Sequence, residues 1–126
     1  MAIPWNDTNR LSVAQAIADH PIDSGRCAAL ARRVLAVANP GDPAARGVQL
    51  KPRAPARYLV PKHPDVPYWC SHTLVETREH DVDAITGPDG HRADAYLESF
   101  WHFPDRIEAR TVDVATIDPG IEDEGS

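Results

Sequence analysis

The sequence predicts an α+β domain with N-terminal helices packed on a small antiparallel sheet. Three observations carry this. The first forty residues hold two segments with apolar residues at helical spacing. Residues 70–86 hold two apolar, β-branched runs joined by a short polar link, "CSHTLVET" and "HDVDAIT". Between these two halves lies a stretch with seven prolines from Pro40 to Pro67, too dense for a long helix or a central strand.

Residues 12–19, "SVAQAIAD", read as a short helix, with Ser12 and Gln15 at capping-box spacing. Pro21 ends it. The second helix is "RCAALARRVLAVA", capped by Asp23 or Ser24 and ended at "NPGDP". Its apolar stripe runs Cys27, Leu30, Ala31, Val34 and Ala38. The proline-rich excursion leaves room for one short strand at "ARYLV". "REH" suits a hairpin, and "GPDG" at 87–90 is a tight turn. "RADAYLESFWHF" reads as a short helix stopped by Pro104, and "RIEARTVDVATI" as a last strand.

A chain of 126 residues with 42% hydrophobic and 25% charged residues has enough apolar side chain for one core without a disulfide or metal. We expect a single domain over 1–117 and an acidic tail over 118–126. Thirteen basic against nineteen acidic side chains leave a net charge of −6, which argues against a general nucleic-acid binder. Arg46 to Lys62 is a local exception, with five basic residues and no acid. No apolar run is long enough to span a membrane. The N-terminus lacks a signal-peptide pattern, so a cytoplasmic location or export by a signal-less route is expected. Two cysteines outside any C-x-x-C pair do not make a zinc site, and no metal or organic cofactor is expected.

The chemistry turns on Cys27. A thiol in the first turn of a helix meets the positive end of the dipole and N–H groups lacking intrahelical partners, both of which favour a thiolate. The same N–H groups suit a tetrahedral oxyanion. The competing reading is a core cysteine, since Cys27 is in register with the apolar stripe. His72, at the start of a strand, is placed to act as base and then acid. Asp83, on the next strand, is placed to orient it, with Asp81 and Glu76 as competitors. Cys70 reads best as a packed core residue, with a resolving thiol or a metal partner of His72 as alternatives. Tyr68 and Trp69 are either cleft walls or core aromatics, and Trp101 and Phe103 core or lid.

"GRCAALARRVL", "HTLVE" and "VDAITG" together resemble the papain-like, transglutaminase-related cysteine enzymes, and most of all the compact papain-fold toxin and glutamine-deamidase domains of bacteria. The resemblance covers residues 24–90. It implies a papain-like fold, with Cys27 as nucleophile, His72 as general base and Asp83 as orienting carboxylate. The substrate would be an amide of a protein or peptide, and a protein inhibitor is a possible partner. Papain places a Gln a few residues before its Cys to complete the oxyanion hole. Here the nearest is Gln15, twelve positions upstream, which would have to fold back. The alternative function is an inactive module of the same fold that meets an acidic partner through the basic, proline-rich segment.

Overall fold

In the computed structural model, which describes residues 3–22, 24, 26–64 and 66–114, three α-helices accompany a five-stranded antiparallel sheet. The helices are α1 (Asp7–Asp19), α2 (Cys27–Ala38) and α3 (Tyr96–Phe100). The strands are β1 (Arg46–Pro52), β2 (Val60–Pro61), β3 (His72–Thr77), β4 (His80–Val82), β5 (His91–Arg92), β6 (Trp101–His102) and β7 (Ile107–Val112). The large sheet runs β5-β4-β3-β1-β7, and β2 pairs with β6 in a separate ribbon. The α+β expectation holds, and α2 packs on β3 with α1 behind it.

Several elements differ from the sequence reading. Helix α1 starts earlier, at Asp7, because Asn6 rather than Ser12 caps it, its side chain accepting from the Asn9 N–H at 2.7 Å. No side chain caps α2: Arg26 is its N-cap residue, and the Ser24 hydroxyl accepts instead from the Arg26 N–H, at 3.2 Å. Asp23 lies outside the described residues, as does the tail at 118–126. The main correction is β1. Proline density argued against any central strand between Pro40 and Pro67, yet Arg46–Pro52 lies between β3 and β7. Residues 44–51 contain no proline, and Pro52 stands at the strand's last position, where it ends the element rather than interrupting it. The strand expected at "ARYLV" shrinks to β2 with a bridge from Leu59 to Trp69.

The sheet has a core on each face. Val75 and Val82 pack with Val13, Ala16, Leu30, Ala31 and Val34 of the helices. Alternation along the strands turns Val48, Leu50 and Leu74 to the other face, where Leu59, Trp69, Tyr96 and Trp101 cover them. Trp101 is fully buried, and truncating such a side chain to Ala costs about 3–5 kcal/mol.

The β3–β4 hairpin sets the register of the site. Its two-residue turn, Arg78–Glu79, has φ of 50° and 64°, a left-handed pair that suits the twist of a tight hairpin but strains side chains other than Gly or Asn. Asp42 holds it: its carboxylate accepts from the Thr77 hydroxyl at 2.8 Å and the Arg78 N–H at 3.1 Å. Thr77 then pairs with His80, and Val75 with Val82.

Candidate active site

Cys27 is the first residue of α2, where the helix N-terminus meets the start of β3. It is half-buried, while the stripe behind it (Ala28, Leu30, Ala31, Val34) is buried. The Thr73 N–H donates to its sulfur at 3.4 Å, a contact that stabilises negative charge on sulfur. The thiol thus sits at the rim of the helix core, in contact with a backbone donor of the strand that carries His72.

His72 opens β3 and is buried. Its ring stacks on Trp69, with centroids 4.7 Å apart and planes 8° from parallel, and Trp101 closes in at 5.4 Å. These two indoles fix the plane of the imidazole. Nε2 meets Asp83 Oδ2 at 2.8 Å. Nδ1 is buried and has no conventional hydrogen-bond partner. Burial alone would lower the imidazole pKa, but the Asp83 hydrogen bond, helped by the neighbouring Cys27 and by the Asp83 charge, raises it to about 10. The ring is therefore held as an imidazolium, oriented from one side and open to the sulfur from the other.

Asp83 follows the end of β4 and is buried. Its Oδ1 accepts from the Ile85 and Thr86 N–H groups, both at 2.9 Å, an Asx-type turn that locks the carboxylate. Its Oδ2 accepts from His72 and from the Tyr96 hydroxyl. Burial would raise its pKa, but the His72 contact, then Tyr96 and the Thr86 N–H, hold it below the ordinary carboxylate value. Burial and the same carboxylate push the Tyr96 phenol well above its usual value, so it remains a donor.

The three residues of the expected triad are thus brought to one place. The other expected site residues divide. Trp69 is the stacking wall of His72. Tyr68 is 53% exposed and tilts against Tyr58 at 4.5 Å, and it does not line the pocket at Cys27. Gln15 donates to Asp19 at 2.8 Å and is not brought to the pocket either. Cys70 is exposed, not core, and no disulfide joins it to Cys27. Glu76 is engaged by Arg46 at 3.0 and 3.1 Å, away from the orienting role. Two site residues escaped the sequence reading. Tyr96 was legible only as a helix residue, and Trp101 only as core or lid; neither has a local signature for touching a triad.

The pocket at Cys27 has a volume of ≈10 Å³, about the space of one water, and is lined by His20, Ile22, Arg26, Trp69, His72 and Ala84 among others. Among the described residues, no group of three His, Cys, Asp or Glu side chains is arranged to hold a metal ion, and no helix is long and apolar enough to cross a membrane. No family model, curated protein or solved structure matches the chain.

Proposed function

We propose that the protein is a papain-like, thiol-dependent enzyme that cleaves amides, with Cys27 as nucleophile, His72 as acid and base, and Asp83 as orienting carboxylate. One observation carries the reading. A buried histidine bonded to a buried carboxylate at 2.8 Å couples electrostatically to a thiol at a helix N-terminus. Paired buried titratable groups of this kind concentrate at catalytic sites.

The Cys27 thiolate attacks the amide carbonyl carbon and forms a C–S bond. The helix N-terminus stabilises the oxyanion through its N–H groups. The tetrahedral intermediate collapses, the C–N bond breaks, and His72 gives its proton to the departing amine or ammonia. His72 then takes a proton from water, the hydroxide attacks the thioester, and the acid product leaves with the thiolate restored. Asp83 keeps the ring in one tautomer throughout. Trp69 and Trp101 keep its plane fixed.

The resemblance to the papain-fold deamidase domains favours the carboxamide of a glutamine side chain over a main-chain amide. Deamidation of a protein glutamine is the preferred reaction. The test is ammonia release from carbobenzoxy-Gln-Gly and from dimethylated casein. Release that disappears in Cys27→Ala supports the proposal. Equal release by wild type and Cys27→Ala, or none from any amide while both fold, overturns it.

A further inference from the structure

On the β2–β6 side of the molecule lies a second, larger hollow that the triad does not use. It is an apolar groove of ≈350 Å³, within the range that holds a ligand side chain. Leu59 and Ile107, both buried, line it, with Tyr58 and Phe103 exposed along its sides. Phe103 is 61% exposed and stands at φ 55°, a left-handed conformation unfavourable for a bulky residue. An exposed phenylalanine held in a strained backbone is unusual on an unpartnered surface, and such strain concentrates where ligands bind.

The groove's charge is one-sided. Arg57 and Arg106 line it, both exposed, and neither side chain makes an ion pair or hydrogen bond among the described residues. Among the described residues no acid lines the groove; Asp105 and Glu108 neighbour Arg106 in sequence without entering it. By contrast, Arg10, Arg33, Arg46 and Arg92 are all paired with carboxylates. On a chain with net charge −6, two unpaired guanidinium groups beside an apolar trough form a local positive field around an apolar slot.

We propose that this groove docks a short acidic segment of a partner protein, with an aromatic or large aliphatic residue in the slot and flanking carboxylates on Arg57 and Arg106. Guanidinium groups pair with carboxylates in a two-pronged geometry, and an anchor side chain displaces water from Leu59 and Ile107. The groove is linked to the triad. Leu59 exchanges backbone hydrogen bonds with Trp69, at 2.7 and 2.9 Å, and Trp69 carries the stacked His72 ring. A docked segment therefore presses on the strand pair that positions the imidazole. The acidic tail of the same chain is a poorer occupant. Strand β7 leaves the groove at Ile107 and ends at Val112, and Val114 just beyond it is buried among helix residues on the other face of the sheet.

The experiment is a nitrogen–proton correlation titration of the full chain carrying Cys27→Ala, so that the outcome is independent of whether the thiol is catalytic. The probes are the blocked pentapeptides Asp-Glu-Phe-Asp-Glu, Asp-Glu-Ser-Asp-Glu and Lys-Lys-Phe-Lys-Lys. The first should give saturable shifts at Tyr58, Leu59, Phe103 and Ile107, and the other two should not. The Arg57→Ala/Arg106→Ala double variant should weaken binding about tenfold, since each rim charge is worth a few-fold. Both side chains are exposed and make no ion pair or hydrogen bond among the described residues, so this variant keeps the fold. Raising salt should weaken binding in wild type and far less in the double variant. Equal binding of the basic peptide, unchanged affinity in the double variant, or no saturable shift in the groove at millimolar peptide overturns the proposal. No ammonia release from the folded wild type, with peptide binding intact, would sink the enzyme reading and leave this one standing.

Discussion

Asp81 competes with Asp83 for the orienting role in the sequence, and the two are separated by what they face. Asp81 is buried, directly opposite Glu76 across the β3–β4 pair, and its Oδ1 has no hydrogen-bond partner. Burial first, then Glu76 and Asp83, push its pKa up to about 7 from 3.8, against a smaller opposing pull from Arg46. A carboxyl whose pKa is raised on folding holds its proton more tightly in the native state. Stability is therefore lost as pH rises from 3.8 to about 7, and the deficit stays constant above that. At 1.36 kcal/mol per unit the ceiling is about 4 kcal/mol; discounted for residual solvent access, about 2 kcal/mol remains. Asp81→Asn removes the charge and keeps the shape. It should raise stability by about 1 kcal/mol or less at pH 4.5 and by about 2 kcal/mol at pH 8, with ammonia release intact. Urea unfolding followed by tryptophan fluorescence at the two pH values measures this. An equal effect at both pH values, or destabilisation at pH 8, refutes the reasoning.

Four further outcomes follow from the same geometry. Cys27→Ala should abolish amide cleavage while shifting stability by less than about 1 kcal/mol, because the residue is half-buried and Ala is a good helix former; calorimetry beside the ammonia assay checks both. In the folded wild type, iodoacetamide should label Cys27 faster than the more exposed Cys70 below pH 7, and His72→Ala should reverse that order, as read by peptide mass spectrometry. The His72–Asp83 contact contributes stability that is fully present at pH 6.5 and below on the His72 side and is lost as pH rises through about 10; on the Asp83 side it is present above pH 3.8 and lost as pH falls below that, so Asp83→Asn should flatten the stability profile at both ends. Gln15→Ala should leave ammonia release at the wild-type rate, since among the described residues its amide bonds only Asp19; a large loss would mean that α1 moves onto the site during turnover.

What the sequence disclosed follows the range of the interactions involved. The start of α2, the β3–β4 hairpin and the 87–90 turn are local signals, and all three were legible, because a helix-forming run, a β-branched pair and "GPDG" act over a few residues. The order of Cys27, His72 and Asp83 was legible for the same reason. β1 was obscured because its central place comes from pairing with β3 and with the distant β7, which no window across "ARGVQLKP" contains. Cys70 was misplaced because the strand starts two residues later than expected, at His72. Tyr96 and Trp101 reach the site from α3 and β6, and only the folded second core brings them beneath His72.

The hairpin that carries His72 and Asp83 closes on a two-residue turn, and these partners are only eleven positions apart. The sulfur arrives from 46 positions before Thr73, and only when α2 docks on β3. Assembly of the site is therefore staged. Short-range closure sets imidazole and carboxylate side by side early, and the long-range step delivers the sulfur last. On the proposed reading, a nascent or unfolding chain lacks the assembled triad, and amide cleavage is confined to copies that have completed their tertiary structure.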